Sequence, residues 1–341
     1  MDIRSSRRSI LENMSSRPRR LRAKPWIRDL VAENGLSTRD LVLPVFVCAD
    51  DAPVEVPSMG AKRYHVRELR DVAQLCRELG VPAIALFPVV DTKLRSEDAK
   101  YAYTDDLACQ AIAEIKSATR DVGVITDVAI DRYTTHGQDG IVKDGIVLND
   151  ESVEILAHMA LAHARAGADV VAPSDMLDGR VAVIRRVLDA SGFADTAILS
   201  YTAKYASVQY GPFRDAVGST QGFTASLGLE GKKTYFMDVR NRDEALKEAM
   251  LDLEEGADLL MVKPGLAFLD VIHVLAQSTD VPIAAYQVSG EFSMIKLAAN
   301  AGWCRYEDLL LETLMCLRRA GAKMIFSYGA LDAAKLLQAQ R

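Results

Sequence analysis

The sequence predicts a TIM barrel, in which eight parallel strands alternate with helices, preceded by an extended N-terminal arm. Two observations support this prediction. Apolar runs typical of buried parallel strands recur eight times, and segments of helical periodicity lie between them. Glycine also stands repeatedly between a helical segment and the next apolar run, at Gly80, Gly167, Gly256 and Gly321. Because glycine readily adopts the left-handed conformation that ends a helix, these positions predict short helix-to-strand loops.

Each barrel strand is predicted from a largely continuous apolar run, since a parallel strand is buried on both faces. Helical periodicity is clearest over residues 152–165 and 243–253. Nothing indicates a second domain, although a chain of 341 residues would allow one. In chain order, the predicted strands are residues 42–47, 82–88, 122–128, 168–173, 196–201, 257–263, 282–288 and 322–326.

Two segments lie outside the predicted barrel. Residues 1–37 form the predicted arm, which we expect to contact other subunits, and residues 38–341 form the catalytic domain. Residues 216–233 bear glycine, serine and threonine and predict a long loop that could cover a site. The arm is basic from Arg4 to Lys24, which also fits a nucleic-acid-binding arm. The lack of interleaved aromatic residues and the net charge of −6 argue against nucleic acid as a partner.

The cysteines and the apolar runs indicate where the protein works. The five cysteines are far apart and include no Cys-x-x-Cys pair, so they predict neither a disulfide framework nor a zinc knuckle. No apolar run is long enough to span a membrane, and the first residues contain no apolar signal core. We therefore expect a cytoplasmic protein with no membrane partner.

Two lysines close two of the apolar strands. Lys263 ends the run that begins at Ala257 and stands just before a Pro-Gly turn, and Lys204 follows the run over residues 196–201. An ammonium group is costly to hold in an apolar setting, so a solvated strand end explains one such lysine better than it explains two. A desolvated lysine beside a second cation loses its proton easily and becomes an amine nucleophile for carbonyl carbons. The pair therefore predicts Schiff-base chemistry.

Other polar residues are predicted to lie at the same end of the barrel. In this fold the active site is built at the carboxyl ends of the strands. A chance distribution would scatter polar groups over both ends. The polar residues that end or follow the predicted strands are Asp127, Asp131, His136, Asp139, Ser174, Asp175, Gln287, Ser289, Ser327 and Tyr328.

Six motifs in these segments resemble the 5-aminolevulinate dehydratase, or porphobilinogen synthase, family. The lysine signature is MVKPG at residues 261–265. The likeness extends from residue 17 almost to the carboxyl terminus, and its motifs occur in the order that the family shows. The other five are TDV at 126–128, YTTHG at 133–137, APSDMLDGR at 172–180, YGPFRDA at 210–216 and YQVSGE at 286–291.

The resemblance implies that two molecules of 5-aminolevulinate condense into porphobilinogen with loss of two waters, in tetrapyrrole (heme) biosynthesis. It also implies an arm that wraps a neighbouring subunit, usually in a homo-octamer. By position, Lys263 matches the lysine that forms a Schiff base with the propionyl-side substrate. Lys204 matches the lysine that does so with the acetyl-side substrate.

The resemblance further implies two sites for substrate carboxylates. Arg214 and Lys232 match the cations that hold one carboxylate, and a guanidinium suits a planar carboxylate. An intramolecular salt bridge is the alternative role for Arg214. Ser289 and Tyr328 match the hydroxyl pair that holds the other carboxylate. Further residues expected to contact substrate are Asp127, Asp131, Asp139 and Ser174.

The expected metal content follows from the same resemblance. Where zinc-type members have three cysteines, this sequence has Ala129, Asp131 and Asp139, which resembles the zinc-independent branch. Carboxylates suit magnesium, a monovalent cation or water and do not reproduce a thiolate zinc site, so we expect no zinc. Glu248 matches the glutamate that holds an allosteric magnesium ion in many members. The alternative role for Glu248 is that of a solvated carboxylate on a helix surface, with no metal.

Three features depart from the family pattern. Phe268 stands where the family usually has tyrosine, and Phe236 stands where it usually has a glutamine that helps to hold the acetyl-side carboxylate. The loop over residues 216–233 is also a few residues longer. A hydrogen bond to a charged group contributes about 1.5–3 kcal/mol. We therefore expect weaker acetyl-side binding with the chemistry retained.

Three other functions fit parts of the sequence. A Schiff-base enzyme of the same fold could act on a different keto acid or join unlike partners. A non-catalytic, assembly-regulating relative fits the intact lysine pair poorly. A Schiff-base aldolase fits the fold but requires neither two lysines nor two carboxylate sites. Turnover of 5-aminolevulinate, followed by an assay for the pyrrole product, separates these functions.

Overall fold

The computed structural model describes residues 16–49, 51–52, 54–56, 58–59, 61–217 and 231–339, and the chain divides into two units, residues 1–35 and 36–341. In the first unit, a 3₁₀-helix over Pro18–Arg22 precedes helix α1 over Pro25–Leu30. Neither helix buries any of its residues. Residues 1–15 of the predicted arm and residues 218–230 of the predicted long loop lie outside the described residues.

The second unit contains a closed barrel of eight parallel strands, which confirms the predicted fold class. Neighbouring barrel strands follow one another in chain order, and the last strand pairs with the first where Leu41 faces Ile325. Closure leaves the barrel without a free edge. The strands are β1 (Leu41–Cys48), β2 (Ala83–Pro88), β3 (Gly123–Val128), β4 (Val170–Pro173), β5 (Ala197–Lys204), β6 (Leu259–Lys263), β7 (Ile283–Gln287) and β8 (Met324–Ser327).

Helices alternate with these strands and bury one face each against them. The first of them buries Leu69, Val72, Ala73, Cys76 and Leu79, a spacing that places all five on one side of a helix. The helices are α2 (Leu69–Leu79), α3 (Asp106–Ala118), α4 (Asn149–Ala166), α5 (Arg180–Ala190), α6 (Gly211–Val217), α7 (Asp243–Glu254), α8 (Leu269–Ser278), α9 (Ser289–Asn300), α10 (Tyr306–Ala320) and α11 (Ala330–Ala339).

The predicted helix-ending glycines are confirmed by their backbone angles. Gly80, Gly167, Gly256 and Gly321 have φ values of 71°, 105°, 103° and 122°, a region that residues with a side chain rarely adopt. Each stands directly after a helix or within two residues of its end and turns the chain toward the next strand. The sequence pattern therefore located four of the helix-to-strand loops correctly.

The predicted strands differ from the observed ones mainly at their ends. Strand β5 runs to Lys204, three residues beyond its predicted end at residue 201. Two short hairpins were not predicted, Glu55–Val56 with Ala61–His65 and Ile141–Lys143 with Ile146–Leu148. Strands of two to five residues are too short to show a clear hydrophobic period.

Two predictions about the environment can be compared with the described part of the chain. No helix described there is long and apolar enough to cross a membrane. All five cysteines lie within that part, and each is a free thiol.

Candidate active site

Lys204 and Lys263 lie side by side because of a β-bulge between β5 and β6. Leu260 pairs with Ser200, but Val262 pairs with Ala203, so two residues of β5 oppose one residue of β6. This shift pairs Lys204 with Lys263 at the strand ends. Side chains alternate along a strand, so regular pairing would have placed the two lysines on opposite faces of the sheet.

Aromatic rings surround the ammonium group of Lys263. The ion pairs among the described residues do not include this lysine. Burial, together with the nearby charge of Lys204, lowers the pKa of Lys263 to about 7. A substantial fraction of Lys263 is therefore a neutral amine near neutral pH, the form that attacks a ketone. The ring centroids nearest its Nζ belong to Tyr286 at 4.5 Å, Phe213 at 5.0 Å, Tyr201 at 5.1 Å and Tyr210 at 5.4 Å.

Lys204 has polar partners. Its Nζ donates a hydrogen bond to the carbonyl oxygen of Ser174 and lies 3.9 Å from Oδ1 of Asp139. Burial lowers the pKa of Lys204, although the negative charge of Asp139 opposes that shift. Ser174 thus contacts the lysine through its main chain. The two lysines have different surroundings, since Lys204 has oxygen partners as well as a neighbouring ring, whereas Lys263 is surrounded by rings.

Lys232 bridges two of the predicted site residues, Asp131 and Asp139. Its Nζ lies 3.0 Å from Oδ2 of Asp131 and forms a second ion pair with Asp139. Burial disfavours the charge on Lys232, but the two carboxylates outweigh burial and raise its pKa. One side-chain ammonium therefore already pairs with both carboxylates. Across the described residues, no three His, Cys, Asp or Glu side chains are grouped to hold a metal ion.

Asp127 and Arg132 form a buried ion pair beside the lysines. Their side chains are only 5% and 3% exposed, and Nη2 of Arg132 donates to Oδ2 of Asp127. Oδ1 of Asp127 and Nη1 of Arg132 have no hydrogen-bond partner among the described residues. The charge of Asp127 acts on Lys204 and Lys263, where it opposes the loss of a proton.

A small cavity of about 40 Å³ brings five of the predicted site residues together. Arg214 lines it and is half-buried, and burial lowers the pKa of its guanidinium. The residues that line the cavity are Asp131, Lys204, Tyr210, Phe213, Arg214, Lys232, Phe236 and Lys263.

Ser289 and Tyr328 are not joined to each other by a hydrogen bond. Oγ of Ser289 accepts a hydrogen bond of 2.9 Å from the backbone N–H of Phe213. The hydroxyl of Tyr328 lies 2.9 Å from that of Tyr286, whose ring contacts Lys263. Each predicted hydroxyl therefore bonds to a residue whose ring faces the Lys263 ammonium, Phe213 for Ser289 and Tyr286 for Tyr328.

Phe236 and Phe268, the two substituted residues among the three expected departures, have different surroundings. The Phe236 ring is buried and its centroid lies 4.2 Å from Nζ of Lys204 and 5.5 Å from Nζ of Lys232. It can therefore stabilise either cation through its π face. Phe268 stacks on Tyr205 at 3.9 Å between ring centroids. Only Phe236 lines the lysine cavity.

Glu248 and His136 do not belong to this cavity. Glu248 lies on α7 and lines a separate cavity, and burial raises the pKa of its carboxyl group. Nδ1 of His136 accepts a hydrogen bond of 3.2 Å from the backbone N–H of Gln138, which is a structural role.

Several residues of the site had no predicted role. Arg132 pairs with Asp127, Tyr235 donates to Gln138 at 2.8 Å, and Tyr286 contacts Lys263. Tyr286 belongs to the motif at residues 286–291. That motif indicates the family but does not reveal the contact between Tyr286 and Lys263. Arg132 could have been found from the sequence, because carboxylates such as Asp127 and Asp131 require a nearby cation when they are buried.

Three comparisons with known proteins agree. The family profile described as delta-aminolevulinic acid dehydratase matches residues 15–336. The delta-aminolevulinic acid dehydratase of Bradyrhizobium diazoefficiens is 45% identical over 331 residues, which cover 96% of this chain and 92% of that protein. The enzyme of the same name from Chlamydia pneumoniae is 47% identical over 323 residues, which cover 93% and 95%.

A solved structure is similar over the same length. It is the delta-aminolevulinic acid dehydratase (porphobilinogen synthase) of Toxoplasma gondii ME49 in complex with the reaction product porphobilinogen. That structure is 44% identical, with a TM-score of 0.92, and the match covers 96% of this chain and 93% of that one.

Proposed function

This chain belongs to the delta-aminolevulinic acid dehydratase family, and from that membership we propose how its cavity condenses two molecules of 5-aminolevulinate into porphobilinogen. The reaction releases two waters and is a lyase reaction of porphyrin biosynthesis. The proposal rests on one observation, the pairing of two buried lysines with lowered pKa values at adjacent strand ends. Two imines require two such lysines, whereas an aldolase requires one.

Lys263 forms the first imine in this proposal. Burial and the nearby charge of Lys204 disfavour its ammonium form, so its amine is available to attack the ketone of the propionyl-side substrate. The attack releases one water and leaves a carbon that accepts electrons readily. Lys204 binds the acetyl-side ketone in the same way and releases the second water.

Ring closure then returns both lysines as free amines. The amino group of the propionyl-side substrate displaces Lys204 from the acetyl-side imine carbon and forms the C–N bond. The acetyl-side carbon next to its imine loses a proton and attacks the imine carbon held by Lys263, which forms the C–C bond. Lys263 then leaves as an amine while the newly joined acetyl-side carbon loses its second proton, and transfer of a proton from the ring CH₂ carbon to the ring nitrogen completes the pyrrole. Holding both ketones makes the joining effectively intramolecular, which can supply several kcal/mol of the barrier.

Charged and hydroxyl groups bind the substrate carboxylates. Arg214 and Lys232 line the cavity with Lys204 and are assigned to the acetyl-side carboxylate. Ser289 and Tyr328 are assigned to the propionyl-side carboxylate, since both lie next to residues that contact Lys263. Binding there requires each hydroxyl to exchange its present partner for the substrate.

The remaining polar residues hold the lysines and the substrate amino groups. Asp139 and the carbonyl oxygen of Ser174 orient Lys204, and Asp131 orients Lys232. Asp127 presents an oxygen without a hydrogen-bond partner among the described residues, suited to accept one from a substrate ammonium. Burial makes each of these interactions stronger than it would be in water.

The rate of substrate capture is expected to fall with acidity below pH 7. Lys263 must be neutral to attack, and its pKa is lowered to about 7. Below that pH the neutral fraction decreases about tenfold for each pH unit, so kcat/KM should decrease in the same way. A kinetic pH profile from pH 5 to 9 measures this. The rate of Lys263 modification by an amine-selective reagent, which does not depend on substrate ionisation, should show the same pKa. If kcat/KM instead rose up to about pH 10, the ordinary pKa range of lysine, the lowered pKa of Lys263 would be contradicted.

Activity is expected to persist after zinc is removed. Asp131 and Asp139 already share the ammonium of Lys232, and carboxylates do not reproduce a thiolate zinc site. Dialysis against a zinc-selective chelator should leave turnover unchanged, and metal analysis of the purified protein should find less than one zinc per chain. Stoichiometric zinc whose removal abolishes activity would refute the zinc-independent assignment.

Magnesium is proposed to act at a distance from the chemistry. Glu248 is the residue that would hold it, with water as the other ligands, and the ion would supply charge that favours the active assembly. If magnesium stimulates turnover, Glu248→Gln should abolish the stimulation. Titration of activity with magnesium in both proteins provides the measurement. A monovalent cation is tested by replacing potassium with a bulky organic cation.

Phe236→Gln is expected to lower KM. An amide at this position can donate a hydrogen bond to the acetyl-side carboxylate, and such bonds contribute about 1.5–3 kcal/mol, which corresponds to about a tenfold or larger change in KM. Phe236→Leu is the matched control, because it removes the ring near Lys204 without adding an amide. Steady-state kinetics with 5-aminolevulinate measure both. Loss of a distinct activity on another keto acid in Phe236→Gln would instead make Phe236 a determinant of specificity for that acid.

The assembly and its setting are part of the same proposal. We infer a cytoplasmic homo-octamer whose arm, residues 1–37, contacts a neighbouring subunit. Exposed apolar residues on α1, Trp26 at 61% and Leu30 at 74%, support a role in protein contacts. Five free thiols support a reducing compartment. Analytical ultracentrifugation of the chain with and without residues 1–37 tests the assembly.

A further inference from the structure

Glu291 is a buried carboxyl group for which the proposed mechanism has no role. It lies in the first turn of α9 and is only 2% exposed. Its Oε1 accepts hydrogen bonds from the backbone N–H groups of Leu266 at 2.7 Å and Ala267 at 3.3 Å. Its Oε2 accepts one from the backbone N–H of Val288 at 2.7 Å. One carboxylate therefore joins the loop after β6 to the loop after β7.

The loop that Glu291 holds begins at the catalytic lysine. Leu266 stands three residues after Lys263, separated from it only by Pro264 and Gly265. The backbone of Lys263 itself is held as well, since its carbonyl oxygen accepts hydrogen bonds from Tyr210 Oη at 3.1 Å and Tyr205 N at 3.0 Å. The Lys263 backbone is thus fixed by its pairing with β5 and by these two hydrogen bonds, and Glu291 fixes the loop that follows it.

The same helical turn also contacts the segment that bears Arg214. Ser289 accepts a hydrogen bond from Phe213, the residue before Arg214. A Cβ added at Gly290 would lie 2.5 Å from the carbonyl oxygen of Gln209, so the two backbones are in close contact. The first turn of α9 is therefore a junction of three loops, and Glu291 supplies its link to Lys263.

We propose that Glu291 is a positioning residue that sets the reactive position of Lys263 by holding the loop over residues 264–267 against α9. The inference rests on the proposed function. The ionised carboxylate serves both loops, because each of its oxygens is then solely an acceptor and each faces a backbone N–H donor. Burial raises the pKa of Glu291 to about 7, against these hydrogen bonds, so the ionised form dominates above that pH. Glutamine has the same shape, but its NH₂ group would face one of those donors, so one loop would lose its partner.

Lys204 does not depend on this junction. Its ammonium is held by the carbonyl oxygen of Ser174 and by Asp139, and its backbone oxygen accepts from the N–H of Met237. None of these groups belongs to residues 264–267 or to α9. A positioning role for Glu291 therefore predicts an effect on one lysine of the pair, whereas a general loss of stability would affect both.

The test is the rate of imine formation at each lysine in Glu291→Gln. The probe is 4-oxopentanoic acid, a keto acid without the amino group, which can form imines but cannot close a pyrrole. Borohydride reduces each imine to a stable amine, and peptide mass analysis measures the adduct at Lys263 and at Lys204 separately. We expect the Lys263 rate to fall about tenfold to a hundredfold, the usual cost of a small misplacement of a reacting group, with the Lys204 rate within about twofold. In turnover, kcat should fall more than KM rises.

Two further variants complete the experiment. Asp258→Asn is the matched control. Asp258 stands just before β6, at the end opposite Lys263, and its Oδ2 accepts a hydrogen bond of 2.8 Å from the backbone N–H of Ile198. This control should leave both labelling rates unchanged. Glu291→Asp keeps two acceptor oxygens and the charge on a shorter side chain, so it should retain part of the Lys263 rate. If Glu291→Gln does not fold, this variant carries the comparison.

The outcomes are distinguishable. Equal labelling of Lys263 in the wild type and in the folded Glu291 variants would overturn the inference. Equal losses at both lysines would overturn it too, since they would show a merely structural role. Absence of any adduct in the wild-type protein would instead refute the proposed function itself, and the inference with it.

Discussion

Lys263→Ala and Lys204→Ala should each lower the rate of porphobilinogen formation by about a thousandfold or more, because each variant loses one of the two covalent attachments on which the proposed condensation depends. The lysines are register partners at the ends of β5 and β6, so their amines reach one cavity. Both side chains end in that cavity and not in the packed core, so the barrel should remain folded. A colorimetric assay for the pyrrole measures the loss.

The double variant should be scarcely worse than either single variant. Both lysines serve one reaction, so removing the second costs little once the first is absent. Borohydride trapping with 5-aminolevulinate should find an adduct on Lys204 in Lys263→Ala and on Lys263 in Lys204→Ala. Lys323→Ala is the control, since Lys323 is an exposed lysine just before β8 at the opposite end of the barrel. Near-normal product formation by either single variant would refute the two-lysine mechanism.

Arg132→Met should lower the free energy of unfolding by about 3–5 kcal/mol, the usual cost of leaving one partner of a buried ion pair unpaired. Arg132 and Asp127 are 3% and 5% exposed, and the positive charge also faces Asp105 and Asp131. Methionine fills much of the same volume but leaves the carboxylate of Asp127 buried without its partner. Urea unfolding followed by circular dichroism, at fixed protein concentration, measures the change.

The double variant Arg132→Met with Asp127→Asn separates charge from packing. Neutralising both partners removes the unpaired charge, so most of the lost stability should return. The same protein should form little product, because Asp127 is assigned to the substrate. A loss below about 1 kcal/mol in Arg132→Met would contradict the argument, since that is the value expected of a solvent-exposed pair.

The fold and the family were predictable because their signals are local. A buried parallel strand requires a continuous apolar run, and a helix that ends sharply favours glycine, so eight strands and four loops could be located from short stretches of sequence. The two lysines were recognisable for the same reason, since an ammonium at the end of an apolar strand is costly without a use. Their motifs also identified the family.

The arrangement of the site depends on contacts between residues far apart in the chain. The β-bulge that pairs Lys204 with Lys263 arises from one extra residue in β5, and a shift of one residue leaves no mark in an apolar run. Lys232 reaches Asp131 across about a hundred residues, and Glu291 reaches Leu266 across twenty-five. Such pairs form because burial makes an unpaired charge or N–H group costly, so each must find a partner that the closed barrel brings within reach. The sequence supplied the types of group, and the closure of the barrel determined which of them meet.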